Sequence, residues 1–249
     1  MKWNDKDWVS EDQEFLPKRR VDNKISWQMP HIIGSFYSNK MNRVVEYHSL
    51  NECLFFFLLE LDSSTVRYYV QPINIGIQFF DDQGNTKGWS HVPDVLVFKN
   101  GFVPLLYQIK EKGGPTTTTF EKCNFHCENY TNARGWHYSV VYPKVLPKAV
   151  QANIKFLEGF IQKRRNADKW IPEIIARLSQ LRTESIINLA SDFSHRIDPL
   201  HILPIIYHLI ATGVFSFNLN ERITEYTEIS CFPFHTQFSM LFHDEEVMK

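Results

Sequence analysis

Alternating and three-to-four-spaced apolar residues divide the chain into elements. Ile32 to Tyr37 and Val44 to His48 alternate well enough to predict two short strands around a Ser38-Asn39-Lys40 turn. Ser49 then offers an N-cap with Glu52 three residues on, the spacing of a capping box. Cys53 to Leu61 supplies a broad apolar face behind it, so a helix begins there. Val66 to Phe80 is β-branched and aromatic with Pro72 inside, which predicts one long strand that is bent or at an edge. Asp81 to Asn85 is a turn. Val92 to Lys110, VPDVLVFKNGFVPLLYQIK, predicts a hairpin around Lys99-Asn100-Gly101, where the glycine can take positive φ. Gly113-Gly114-Pro115 and a Thr run break the chain before a polar helix from about Phe120 to Ala133, and Trp136 to Tyr142 is a final strand. Residues up to Pro30 lack clear periodicity and predict an arm with at most one short amphipathic stretch.

Pro143 and Pro147 bracket a boundary, because the pattern beyond them is almost wholly helical. The expected domains are 1–145 and 146–249. Ala149 to Lys163, Trp170 to Leu181, Glu184 to Phe193 and Pro199 to Ala211 each carry helical apolar spacing, and Gly213 stops the last. Val214 to Asn218 and Thr224 to Ile229 predict two strands around an Asn220-Glu221-Arg222 tip, so helices plus a hairpin suggest a winged-helix module. A base-reading version would put Arg, Lys, Asn or Gln on the second helix of the turn. His201 to Ile210 carries almost none, which favours protein docking over base readout.

The polar residues of the Val92–Lys110 hairpin sit where a plain buried hairpin would have none. With Phe98 opposite Phe102, Asp94 faces Leu106, and alternation puts Asp94, Leu106, Gln108 and Lys110 on one face. An Asp oxygen, a side-chain carbonyl and a main-chain carbonyl are a plausible share of a Mg²⁺ shell. The Lys110 ammonium can act on a metal-bound water or neutralise charge on a phosphodiester in transition. An edge strand whose charged residues simply face water is the competing reading. Glu52 has two as well: its carboxylate can reach back to cap the helix, or turn to a metal.

Composition narrows the classes. The 249 residues are 43% hydrophobic and 22% charged, an ordinary globular balance that excludes disorder. The apolar run CLFFFLLELDSS is interrupted by Glu60 and Asp62 and is too short to span a bilayer, and the polar N-terminus lacks a signal-peptide core, so a cytoplasmic location without membrane association is expected. A formal charge of −1 gives no global basic footprint, so DNA contact must be local or delegated. Lys18-Arg19-Arg20 and Lys163-Arg164-Arg165 are the basic clusters, read as solvated runs in preference to phosphate clamps. Cys123, His126 and Cys127 lie close together, but no second ligand pair follows at a zinc-site spacing, and Cys123 and Cys127 fall on one helix face. No metal-binding His motif, nucleophile elbow at Ser90-His91, or phosphate-binding Gly-rich loop is present.

Pro93-Asp94 followed by Gln108-x-Lys110 resembles the PD-(D/E)xK nuclease signature, with Gln in place of the middle acid. That departure marks one branch, the TnsA endonuclease subunit of heteromeric transposases. GSFYSNKMNRVVEYHSLNE, Gly34 to Glu52, resembles that family's lead-in to its first catalytic helix and places Glu52 where the family has its Glu. The resemblance covers most of the chain. It implies an α/β fold: a restriction-endonuclease-like N-terminal domain, whose helix-strand-strand-strand-helix-strand core matches the order above, followed by the mostly helical winged-helix C-terminal domain. It further implies that Glu52, Asp94 and Gln108 hold Mg²⁺, or Mn²⁺ in substitution, with the Ile109 carbonyl as a main-chain ligand, and that Lys110 acts on the water. The implied activity is nicking of double-stranded DNA at the 5′ ends of a transposon, beside a DDE-type transposase (TnsB-like) and an ATPase regulator (TnsC-like). An independent restriction-type nuclease or junction resolvase, and a non-catalytic assembly factor, are the alternatives.

Overall fold

Val95 to Phe98 is buried residue after residue, the mark of a strand covered on both faces. It lies in a computed structural model that describes residues 2–19, 34–80, 83–111, 117–143 and 146–231. The expected Gly113-Gly114-Pro115 break, the starts of the 32–37 strand and the 81–85 turn, and Arg20 fall outside the described residues. The architecture is mixed α/β, and the chain divides into two units: Met1–Ser35, Val45–Glu52 and Thr65–Pro143 form one, Phe36–Val44, Cys53–Ser64 and Lys144–Lys249 the other.

In chain order the first elements are α1 (Val9–Glu14), β1 (Gly34–Ser38), β2 (Arg43–Tyr47) and α2 (Leu50–Leu61). The strands β1 and β2 form their own two-stranded sheet. Then follow β3 (Thr65–Val70), β4 (Ile75–Phe80), β5 (Thr86–His91), β6 (Val95–Lys99), β7 (Leu105–Ile109), α3 (Thr118–Asn132) and β8 (His137–Val141). The first unit is built on a four-stranded sheet of order β3-β6-β7-β8, with β7 and β8 parallel and the other pairs antiparallel. The helix α3 is the crossover that a parallel pair requires. Its N-terminus is capped by Thr117, whose hydroxyl accepts from the Phe120 amide at 3.2 Å.

Three expectations change here. The long strand from Val66 to Phe80 is two, because Gln71 takes a left-handed backbone with φ 48° and Pro72 follows it. The strand β5 was not expected; it pairs with β4 in a separate antiparallel sheet. Phe98 does not face Phe102: the ladder pairs Val97 with Leu105 and Leu96 with Leu106, and Phe102 and Val103 are exposed outside it. Pro104 has no N–H to donate, so the ladder closes only beyond it, while Gly101 turns the chain at φ 90°. The described part of the N-terminal arm, residues 2–19, packs against this turn. Trp3 donates its amide to Asn100 Oδ1 at 2.9 Å and its indole N–H to the Phe102 carbonyl at 3.1 Å, and the Trp3 and Trp8 rings meet Phe98 edge-on.

The second unit carries α4 (Lys148–Glu158), α5 (Ala167–Leu181), β9 (Thr183–Ser185), α6 (Ile186–Ser191), α7 (Pro199–Ala211) and β10 (Glu228–Ser230). The expected hairpin of Val214–Asn218 with Thr224–Ile229 is reduced to one bridge, Ser216 to Ser230, and β10 pairs instead with β9, a strand hidden at the start of the expected Glu184–Phe193 helix. Buried Asn153 substitutes for ladder bonds: its Nδ2 donates to the carbonyls of Leu219 and Glu221, and its Oδ1 accepts from the Ile223 amide at 2.8 Å. Gly213 ends α7 at φ 72°, where a Cβ would sit 2.3 Å from the Leu61 carbonyl oxygen. No helix among the described residues is long and apolar enough to cross a membrane.

Candidate active site

The ladder between β6 and β7 sets the site. Just outside the Val95–Tyr107 pair that ends the ladder, the Asp94 amide donates to the Tyr107 carbonyl at 3.1 Å, and the Asp94 side chain meets Gln108, not Leu106. The displacement from the expected register is an even one, so the faces of β6 and β7 stay as expected, and Asp94 and Gln108 still meet. Gln108 Nε2 donates to Asp94 Oδ2, and the Ile109 amide donates to the same oxygen at 2.6 Å. Gln108 is buried and Lys110 exposed.

Glu52 caps α2. Its Oε2 accepts from the His48 amide at 2.9 Å and its Oε1 from the Ser49 hydroxyl at 3.2 Å, while Ser49 Oγ accepts from the Glu52 amide. This is a variant of the capping box, in which Glu52 reaches the amide of His48, one residue before the cap, instead of that of Ser49. It does not take Glu52 out of the site, because the Glu52 charge acts on Asp94. Burial first, then the Glu52 charge, push the Asp94 carboxyl from the usual value of 3.8 up to about 7, opposed by the Ile109 amide and the cations Lys110 and Arg19. The structure thus brings Glu52, Asp94, Gln108 and Lys110 within one electrostatic neighbourhood, and Ile109 enters it through its amide.

Three further residues enter that the sequence did not place in the site: His91, Gln71 and Arg19. His91 Nε2 lies 2.9 Å from Gln108 Oε1, and burial pulls its imidazole below the usual value, helped by Lys110 and Arg19 and opposed by the Gln108 bond. Gln71 donates its amide to the Asp94 carbonyl at 2.8 Å and holds the arm by accepting from the Lys18 amide at 2.9 Å. Its side chain turns to the His48 ring, 3.4 Å away. Exposed Arg19, one residue beyond that anchor, belongs to a cluster read as a solvated run, yet its charge acts on both Asp94 and His91. Pro72 directly after Gln71 and the Lys-Arg-Arg cluster were the available signals. For His91 there was none, since β5 itself carries no apolar pattern.

Among the described residues no three His, Cys, Asp or Glu side chains are grouped to hold a metal ion. The site has instead two carboxylates, a carboxamide and backbone, a donor set suited to a hard cation that keeps waters and takes further oxygens from a phosphate. Asp94 Oδ1 accepts no hydrogen bond among the described residues, and the mutual repulsion of Asp94 and Glu52 is what a divalent cation would relieve. The residues fit Mg²⁺ or Mn²⁺ on those grounds. On α3, Cys123 and Cys127 are buried, and burial pushes the Cys127 thiol up to about 12, so it is a neutral packing group.

Residues 146–219 match the family model described as TnsA endonuclease C terminal. The match lies wholly outside the Pro-Asp and Gln-x-Lys residues, so it supports the resemblance independently of them. A comparison with curated proteins found no match.

Proposed function

We propose that this TnsA-type chain is the metal-dependent endonuclease subunit of a heteromeric transposase, nicking DNA at the 5′ ends of the mobile element. One observation carries the reading: in a chain bearing the TnsA C-terminal region, Asp94 is bonded to Gln108 and to the Ile109 amide under the opposed charges of Glu52 and Lys110.

Asp94, Glu52 and the Gln108 carbonyl oxygen would hold Mg²⁺, with the Ile109 carbonyl as the main-chain ligand. When bound, the ion polarises the scissile phosphate and lowers the pKa of a water. The chain's own residues do the rest. The Ile109 amide and the Gln108 NH₂ fix the Asp94 carboxylate with Oδ2 engaged and Oδ1 open. Lys110, exposed at the end of β7, is placed to steer a proton from the attacking water or to neutralise charge on the phosphate. With only two carboxylates, one of them resisting ionisation, the site should bind metal weakly until DNA phosphate completes the shell. Such a site is inert outside an assembly.

The element order α2, β3, β6, β7, α3, β8, with β4–β5 inserted, supports a restriction-endonuclease-like catalytic domain. In the second unit α5, β9, α6, α7 and β10 support a winged-helix-like module. Its α7 exposes only Leu200 and His201, which suits docking to protein better than reading bases, and a DDE transposase or an ATPase regulator is the partner we assign to it. Strand-specific nicking of transposon-end DNA in Mg²⁺, by the chain assembled with those partners, tests the reading. Nicking at 5′ ends that disappears in Asp94→Ala supports it; efficient cutting of naked DNA by the chain alone would make it an independent nuclease.

A further inference from the structure

The two ends of a carboxamide are not equivalent, and a site that uses Gln where an acid would serve must solve a problem an acid does not have. A carboxylate presents oxygen whichever way it turns; a carboxamide turned over presents an NH₂ that no cation accepts. Gln108 is held at both ends. Its nitrogen donates to Asp94 Oδ2, and its oxygen lies 2.9 Å from His91 Nε2. If Gln108 flipped, its oxygen would face the carboxylate oxygen of Asp94, and its NH₂ would face His91. Asp94 sets the nitrogen end through one hydrogen bond, and nothing among the described residues on that side engages the oxygen. His91 supplies the second constraint. With hydrogen on Nε2 it accepts only one orientation of the amide, and it uses one lone pair of Gln108 Oε1 and leaves the other for a ligand. The ring is carried at the end of β5, opposite Ile75 on β4, by a sheet separate from the one that carries Asp94 and Gln108.

We infer that His91 is the positioning residue of this site, donating from Nε2–H to Gln108 so that the carboxamide keeps its oxygen, not its nitrogen, available to the divalent cation. This role rests on the nuclease reading above. It resembles the outer-shell hydrogen bonds that orient metal ligands elsewhere, whose loss weakens metal binding by about 10- to 100-fold.

The test reads metal affinity and tautomer. In the metal-free wild-type chain, imidazole ¹⁵N shifts should show His91 protonated at Nε2; a ring protonated only at Nδ1 overturns the proposal without any variant being made. Mn²⁺ binding, followed by electron paramagnetic resonance on the chain bound to a transposon-end duplex, should weaken about tenfold in His91→Phe. His91→Gln, which keeps an N–H donor, should recover most of that loss. In a Gln108→Leu background His91→Phe should cost nothing more, since the two residues act as a unit. Wild-type affinity in His91→Phe, or an equal loss on the Gln108→Leu background, removes the role of His91 and leaves the nuclease reading standing. A wild-type complex that binds no Mn²⁺ removes both.

Discussion

Asp94 and Gln108, fourteen residues apart in sequence, are bonded side chain to side chain across the β6–β7 ladder, the Gln108 NH₂ donating to Asp94 Oδ2. The bond follows from register. The ladder closes beyond Pro104, displaced by two residues from a register with Phe98 opposite Phe102, and that displacement brings Gln108 beside Asp94. A site residue is thus placed by a backbone constraint with no chemistry of its own.

The raised pKa of Asp94 makes stability depend on pH. The folded state holds the Asp94 proton up to about 7 while the unfolded chain releases it near 3.8, so between those values the folded state binds more protons and stability falls as pH rises. Asp94→Asn removes the ionisation and keeps an acceptor for the Ile109 amide. Its melting temperature relative to wild type should therefore be more favourable at pH 8 than at pH 4, and millimolar Mg²⁺ should raise the wild-type value at pH 8 more than that of the variant. A difference independent of pH contradicts the assignment.

The two duties of Glu52 separate by mutation. Ser49→Ala removes the cap hydroxyl and should cost about 1 kcal/mol of stability, with Mn²⁺ affinity on DNA unchanged. Glu52→Gln keeps a capping-box acceptor and should melt within a few degrees of wild type, yet lose Mn²⁺ affinity. Denaturation curves and metal titrations on the same samples decide it; a Ser49→Ala chain that loses metal as severely as Glu52→Gln would mean that Glu52 acts only through the helix.

Asn153 ties α4 to the 219–223 segment by three hydrogen bonds while fully buried. Asn153→Ala leaves two carbonyls and an amide without those partners and should destabilise the chain by about 2–4 kcal/mol. Urea denaturation of the full chain measures it, and a loss below about 0.5 kcal/mol would show that water replaces the side chain at no cost.

The elements with strong periodicity were legible from the residues. The α2 capping box, α7 with its Gly213 stop, and the parity by which Asp94 and Gln108 meet all follow from local spacing. Elements held by tertiary pairing were not. The strand β5, Thr-Lys-Gly-Trp-Ser-His, is mostly exposed and carries no alternation, so nothing local announces it, and His91 was hidden with it. Two of the three residues of β9, Glu184 and Ser185, fall at the start of an expected helix and become a strand because β10 is there to pair with them. The break at Gln71 was half legible: Pro72 signalled a bend, but only the fold shows that the left-handed residue before it bonds to Asp94 and anchors Lys18.

Lys110 has no part in the hydrogen bonds that hold Asp94, so it can be removed without dismantling the site. The measurement is the ratio of simple insertions to cointegrates in cells carrying the complete transposition system with Lys110→Ala in this subunit. Cleavage at 5′ ends should fall by about 100-fold or more while joining of 3′ ends by the partner continues, so that products become cointegrates. Simple insertions at the wild-type ratio would contradict the nuclease reading.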